Sequence, residues 1–228
     1  MQDSQAVAAH PALQHHFDNM EQQREASSLG MWIFLATEIM FFGGLMLAYL
    51  IYRMAYFHAF AAGSESMTMW LGAVNTAVLI CSSLTVALSV HAAQEGHRKL
   101  LVGLLIATML LGCVFLGIKA VEYHDKYVEH HVPGPAFQFT GHDEPPVRPD
   151  EVPNVQLFFS LYFAMTGLHA LHMIIGIGLF IYLTYKAWKG TYGPDYHTPV
   201  ENFGLYWHFV DIVWIFLFPL LYLVGHAK

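Results

Sequence analysis

Long runs of apolar residues, separated by polar stretches, dominate the pattern of this chain. Five of the runs reach the roughly 20 residues that an α-helix needs to cross the hydrocarbon core of a bilayer. Their residues are apolar on every side and do not alternate with polar ones, which favours helices over the strands of a membrane barrel. The predicted spans are residues 30–52, 69–93, 100–120, 156–183 and 205–225.

The polar stretches predict the remaining organisation. Residues 1–28 form a polar N-terminal segment, and residues 29–228 form one membrane domain of five helices. Six of the ten prolines stand between residues 124 and 155, which predicts a solvent-exposed loop there. The N-terminal segment lacks the apolar core of a signal peptide, so we expect the first span to direct the chain to the membrane.

Composition agrees with a membrane protein. Hydrophobic residues make up 56% of the chain and charged residues 12%, against roughly 45–50% and about 25% in soluble domains. The net charge of −7 argues against a nucleic-acid partner, because affinity for a polyanion depends on basic side chains. Lysine and arginine are equally frequent on both sides of the predicted membrane. Basic residues in short loops determine orientation more strongly than those in long ones, and giving the compact loops more weight favours a cytoplasmic N-terminus.

Two carboxyl groups stand inside the apolar runs, where an ionisable side chain costs about 2.5–3.5 kcal/mol. Glu38 lies about 12 Å and His172 about 17 Å from the N-terminal side, at roughly 1.5 Å per residue. We therefore expect Glu38 to contact His172 or His91, either in a proton route or as a neutral acid bonded to a neighbouring helix. Asp211 follows His208 by three residues, so we expect these two side chains to pair within one turn.

Histidine spacing raises the possibility of a metal or haem. His169 and His172 are three residues apart, as metal ligands on one helix can be. Haem ligation by two histidines takes one from each of two facing helices. His91 and His208 lie near one membrane face and His169 near mid-depth, so the matched tiers of a two-haem bundle are absent and a single His91–His208 pair is the remaining alternative. The sequence also contains no nucleophile with its base and no phosphate-binding loop. We therefore predict no catalytic residue, no bound metal and no bound cofactor in this chain.

Charged residues near the ends of the spans are interpreted as lipid or interface contacts. Lys119 and Glu122 are three residues apart, and we expect this pair to meet water or lipid phosphates at the membrane surface. Small residues within the spans are expected to allow close helix packing. The residues assigned to lipid or interface contacts are Glu95, Arg98, Lys99, Glu122, Lys186, Lys189 and His208. The small residues expected at close helix contacts are the glycine pairs Gly43 with Gly44, Gly112 with Gly117, and Gly176 with Gly178.

Several of these segments resemble subunit III of the haem-copper cytochrome c oxidases. The resemblance covers nearly everything from Leu29 to the C-terminus. The chain looks like the five-span bacterial form, which lacks the first two spans of the longer form, and its loop at residues 124–155 is longer and richer in proline than the family pattern. The matching segments, in order, are GMWIFLATEIMFF, SVHAAQEGHRK, FLGIKAVEY, YFAMTGLHALHMIIG and YWHFVDIVWIFLF.

The resemblance implies an all-α bundle with a V-shaped split between the first two helices and the last three, which holds phospholipid. It implies packing against the catalytic subunit I, which contains the haem and copper, with subunit II and a cytochrome c donor as further partners. It also implies a bacterial inner membrane location with the N-terminus cytoplasmic and the C-terminus outside. Positions that match the family motifs are Glu38, His91, Glu95, Arg98, Glu122, His169, His172, His208 and Asp211.

The leading hypothesis is a non-catalytic subunit of a proton-pumping terminal oxidase that reduces oxygen to water, supporting proton uptake and stabilising the catalytic subunit. The equivalent subunit of a quinol oxidase or of a nitric oxide reductase is an alternative with the same fold, since other chains determine the electron donor. A small proton or solute transporter is a different class, although five spans give no inverted repeat. A membrane cytochrome is another, and it predicts a Soret band in the isolated chain.

Overall fold

The computed structural model describes residues 12–139, 147–223 and 225. These residues form six α-helices and a short π-helix, with no β-strand within the ranges described. The elements are α1 (Met20–Ala55), α2 (Phe57–Glu65), α3 (Met69–Gln94), α4 (Arg98–Val128), α5 (Val152–Trp188), α6 (Thr198–Phe218) and the C-terminal π-helix (Pro219–Leu223).

Five helices are long and apolar enough to cross a membrane: α1, α3, α4, α5, and α6 continued by the π-helix. The predicted all-α bundle with five spans is therefore confirmed. The helices extend beyond the apolar runs because helical hydrogen bonding continues past the hydrocarbon boundary, where water or protein can satisfy the last backbone groups.

Helical structure therefore extends past two boundaries that were drawn from the sequence. The Asn19 side chain accepts a hydrogen bond from the backbone N–H of Gln22 at 2.8 Å and caps α1, so residues 20–28 belong to the first helix. The predicted loop at residues 124–155 is helical at both ends, since α4 ends at Val128 and α5 begins at Val152. Residues 1–11 of the N-terminal segment and 140–146 of the loop lie outside the described residues.

Helix α2 was not predicted. It follows α1 after the single residue Tyr56, and its buried side packs against α5 and the π-helix. Ser64 of α2 donates to the carbonyl oxygen of Leu221 at 2.8 Å, and Tyr49 of α1 donates to that of Leu220 at 2.9 Å. These bonds satisfy carbonyl groups of the π-helix and hold the end of the last span against the bundle.

Helices α3 to α6 form a four-helix bundle, in which α3 and α5 each pack along both α4 and α6. Trp207 of α6 lies in the centre, fully buried. A Cβ atom on Gly112 or Gly176 would lie 2.9 or 2.8 Å from its ring, which confirms the predicted close approach at these two positions. The prediction of close helix packing is wrong for the other four glycines. No atom of the described chain comes within 4 Å of such a Cβ at Gly43, Gly44, Gly117 or Gly178.

Helix α1 leans on α5 and α6 through a narrow seam. Its buried apolar residues Leu35, Phe42 and Tyr49 are seven residues apart, so they form one stripe along the helix. An apolar groove of about 500 Å³ opens beside this seam, between α1 and α6. The V-shaped split between the first two spans and the last three remains a prediction. In the structure the second span, α3, packs against α4 and α6. The groove is lined by Trp32, Leu35, Ile39, Phe42, Gly43, Met46, Leu205, His208, Phe209, Ile212, Val213 and Phe216.

Candidate functional site within the membrane

The predicted contact between Glu38 and His172 is confirmed. Glu38 Oε2 of α1 lies 3.1 Å from His172 Nε2 of α5. His172 Nδ1 lies 2.8 Å from the carbonyl oxygen of Leu168, and because a carbonyl only accepts, Nδ1 carries a proton. The second hydrogen bond then needs one proton between Nε2 and the carboxyl group. Either atom can hold this shared proton, and in both cases the pair has no net charge.

The pair lies at the side of a mostly apolar cavity of about 330 Å³ between α1, α5 and α6. The side chains of Glu38 and His172 are 19% and 13% exposed in the isolated chain, so the cavity reaches both. The Tyr206 hydroxyl donates to the carbonyl oxygen of His172 at 2.9 Å, which fixes α6 beside the pair. The arrangement can hold a proton within the membrane and can also join three helices.

The alternative partner for Glu38 was wrong. His91 is exposed at the end of α3, where its Nε2 lies 3.2 Å from Glu95 Oε1. The other carboxylate oxygen of Glu95 lies 3.0 Å from His97 Nδ1. Helix α3 ends at Gln94, and the chain turns there through Gly96 (φ +76°) into α4, so His91 lies at the end of its helix and away from Glu38. The result is an exposed surface cluster of His91, Glu95 and His97.

The predicted pairing of Asp211 with His208 is also wrong. His208 Nδ1 lies 2.6 Å from Ser83 Oγ, and Asp211 Oδ2 accepts a hydrogen bond from Ser82 Oγ at 3.4 Å. The physical reason is tertiary: α3 packs against α6 and offers two adjacent serine hydroxyls. Ser82 also accepts from Trp207 Nε1 at 3.0 Å, so these bonds lock α3 to α6.

His169 is a core residue. Its ring lies 5.4 Å from that of Phe115 and 5.3 Å from that of Trp214, and it is buried. His172, three residues further along α5, contacts the Glu38 carboxylate, whereas neither ring nitrogen of His169 has a hydrogen-bond partner among the described residues. The same part contains no group of three or more histidine, cysteine, aspartate or glutamate side chains arranged to hold a metal ion.

The interpretation of Lys119 and Glu122 as surface charges is wrong, since both are buried. The Lys119 ammonium donates to Glu122 Oε2 at 3.2 Å, to the Tyr162 hydroxyl at 3.1 Å and to the Tyr222 hydroxyl at 2.8 Å. Both tyrosines donate to Glu122 Oε1. The three donors of the ammonium are therefore used within a closed hydrogen-bonded cycle. Sequence reasoning missed this cycle because Tyr162 and Tyr222 come from distant parts of the chain.

The predicted headgroup ligands separate into two places. His208 lines the apolar groove between α1 and α6. Arg98 and Lys99 begin α4, whereas Lys186 and Lys189 stand at the end of α5, and these four basic residues are absent from the residues that line the groove. Arg98 lies against the turn that follows α5, since a Cβ atom on Gly190 would lie 3.3 Å from its Nη1.

The fold and the site define a multi-pass helical membrane protein with a carboxyl–imidazole pair within the membrane. Comparison with known families gives a match to the family model described as cytochrome c oxidase subunit III, over residues 7–140 and 154–226. Because the match covers most of the chain, this protein belongs to that family and is a subunit III of the haem-copper oxidases.

Curated relatives agree with the family. A probable quinol oxidase subunit 3 of Staphylococcus haemolyticus is 29% identical over 91% of this chain and 94% of its own length. Cytochrome c oxidase subunit 3 of Thermostichus vulcanus is 29% identical over 91% of this chain and 92% of its own length. The corresponding Gallus gallus protein is 30% identical over 86% of this chain and 69% of its own length.

Proposed function

We propose that this chain is a non-catalytic subunit of a proton-pumping terminal oxidase, which stabilises the catalytic subunit and supports its proton uptake. The family match carries the assignment to an oxidase complex. The haem and copper belong to the catalytic subunit I, and the described residues, which offer no metal-binding group, support that division of roles. Subunit II and a cytochrome c donor complete the proposed set of partners, with a quinol donor as the alternative that the Staphylococcus relative suggests.

Proton uptake is supported by the surface cluster of His91, Glu95 and His97. Histidine is the side chain whose ordinary pKa lies within the physiological range, and carboxylates beside histidines exchange protons with them readily. The exposed fractions of the His91 and His97 side chains are 65% and 63%, so both rings meet water. We place this cluster on the proton-uptake side, where it would raise the local supply of protons to the catalytic subunit.

The orientation proposed is a cytoplasmic N-terminus in a bacterial inner membrane. The equal numbers of lysine and arginine on the two sides include Lys119 and Lys126 on the side opposite the N-terminus, but both are buried within the chain. On the N-terminal side, Arg98, Lys99 and Lys189 are exposed and Lys186 is half-buried. The excess of basic surface residues on that side supports a cytoplasmic location for it.

Phospholipid is the proposed non-protein partner of the groove between α1 and α6. Nearly all of its lining is apolar, and acyl chains fill such a groove without leaving polar groups unpaired. The lipid would also complete the packing of α1, whose own seam against the bundle is narrow.

Removing this chain from the purified complex tests the proposal. The optical spectrum of the haem centres should remain nearly unchanged, while activity during turnover should decline faster than in the intact complex. Adding the chain back should restore the slower decline. Failure of the haem centres to assemble without the chain would contradict the proposal and indicate an assembly factor instead.

A further inference from the structure

Five polar atoms in the core of the four-helix bundle have no hydrogen-bond partner among the described residues. They are both side-chain amide atoms of Asn75, both ring nitrogens of His169 and Oδ1 of Asp211. These residues belong to α3, α5 and α6 respectively, and all three are buried. A buried polar atom without a partner loses its hydrogen bonds to water and gains none in return. These atoms therefore require a partner that the described side chains do not supply.

The three side chains lie at similar depths in the bundle. Trp214 Nε1 donates to Thr76 Oγ1 at 3.1 Å, and the Trp214 ring lies 5.3 Å from the His169 ring. Asn75 directly precedes Thr76 on α3, whereas Asp211 precedes Trp214 by three residues, which is about 4.5 Å along α6. Because α3 and α5 stand at opposite corners of the bundle, the space between Asn75 and His169 is its centre.

The donors and acceptors of these groups match water. The Asn75 amide donates through Nδ2 and accepts through Oδ1, a neutral imidazole donates through one nitrogen and accepts through the other, and a carboxylate oxygen accepts. Water both donates and accepts, so it can bond every atom of this mixed set. A metal ion would bind only the acceptors. The Lys119 ammonium, 4.9 Å from the centre of the Trp214 ring, also disfavours a second cation nearby.

We propose that ordered water molecules bind between Asn75, His169 and Asp211 and complete the core of the bundle. A buried water makes about three hydrogen bonds, so the five atoms account for about two molecules. Water bonded to Asn75 and His169 connects α3 with α5, two helices that pack mainly against α4 and α6. This inference is independent of the proposed oxidase role, since it concerns only the interior of the chain.

Replacing Asn75 by leucine, a side chain of similar size, distinguishes a hydrated core from a dry one. In a dry core Asn75→Leu removes two unpaired polar atoms and should raise the thermal unfolding midpoint. In a hydrated core the variant removes a ligand of the water and leaves His169 and Asp211 short of a partner. We therefore expect the midpoint of this chain in the intact complex to fall by about 3–8 °C. Asn75→Ser retains a hydroxyl group that can bond water and should lower the midpoint less.

Ser89→Ala is the matched control, because Ser89 is buried on the same helix and its hydroxyl already donates to the carbonyl oxygen of Val86 at 2.7 Å. Its midpoint should stay near that of the wild type. The structure of the intact wild-type complex, at a resolution that shows ordered water, is the direct measurement. We expect water about 2.7–3.2 Å from Asn75 and from His169 or Asp211. A raised midpoint in Asn75→Leu, an equal fall in the control, an ion at the site, or a bundle centre without water would overturn the proposal.

Discussion

His172 Nε2 lies 3.1 Å from Glu38 Oε2, and this contact joins α5 to α1 inside the membrane. Helix α1 otherwise packs through the seam of Leu35, Phe42 and Tyr49. The hydrogen bond from His172 Nδ1 to Leu168 fixes the imidazole, so the carboxyl group meets a partner already held in place. The pair therefore combines two properties that variants can separate: a hydrogen bond that positions α1, and a proton that can exchange.

Substitutions of Glu38 separate these properties. Glu38→Gln can still donate to His172 Nε2 but cannot titrate, so assembly and thermal stability should be retained. Glu38→Ala leaves His172 without this partner and should destabilise the chain by roughly 1–3 kcal/mol. We favour the positioning role and expect normal proton uptake in Glu38→Gln. Slowed uptake in that variant, measured with a pH-indicator dye during turnover, would instead show a direct proton role.

The buried cycle around Lys119 predicts strong coupling between two substitutions. Lys119→Met leaves the Glu122 carboxylate buried without its cation and should destabilise the chain by about 3–5 kcal/mol. The double variant Lys119→Met, Glu122→Gln removes both charges and should recover much of that loss. Thermal unfolding of the single and double variants in one detergent measures the coupling. Additive effects would show that the two side chains act independently.

Two glycines of α5 should respond in opposite ways to alanine. A Cβ at Gly176 would lie 2.8 Å from the Trp207 ring, and overpacking of this kind costs typically 1–3 kcal/mol. Gly178 has open space at the same position, so Gly178→Ala should be neutral or slightly stabilising. The unfolding midpoints of the two variants provide the comparison, and equal midpoints would contradict the central position of Trp207.

If an acyl chain occupies the groove between α1 and α6, a bulky side chain at a position that lines the groove should reduce the amount of bound phospholipid. Gly43 lines the groove, whereas Gly44 lies outside its lining, and neither has a neighbour near its Cβ position. Gly43→Leu should fill part of the groove and reduce the phospholipid retained after mild-detergent purification, while Gly44→Leu should not. Phosphorus analysis of both purified variants measures this difference. Equal lipid content in both would argue against an acyl chain in the groove.

Hydropathy predicted the five spans, and depth along them limited the predicted partners of Glu38 to His172 and His91, of which His172 makes the contact. A bilayer requires about 20 apolar residues wherever a helix crosses it, and depth along two spans restricts which side chains can meet. Helix α2 escaped prediction since its nine residues carry no comparable signal. The ends of α1, α4 and α5 were also missed, because they lie beyond the apolar runs.

The partners of the charged residues could not be predicted from the sequence, because they depend on tertiary structure. Lys119 and Glu122 were predicted to reach the surface because they stand near the end of a span, yet Tyr162 of α5 and Tyr222 of the π-helix enclose them. Asp211 and His208 share a helix face, but the adjacent serines of α3 bind them. Spacing along one helix shows which residues can meet, whereas the packing of a second helix determines which do.

Purification of the tagged chain in mild detergent tests whether it is a non-catalytic subunit of a haem-copper oxidase, with the proteins and the optical spectrum recorded before and after its separation from its partners. We expect the intact complex to contain a haem-copper catalytic subunit and to show its haem spectrum, while the separated chain is colourless and free of stoichiometric metal. A stoichiometric haem or copper in the separated chain, or the absence of any catalytic subunit in the complex, would contradict it.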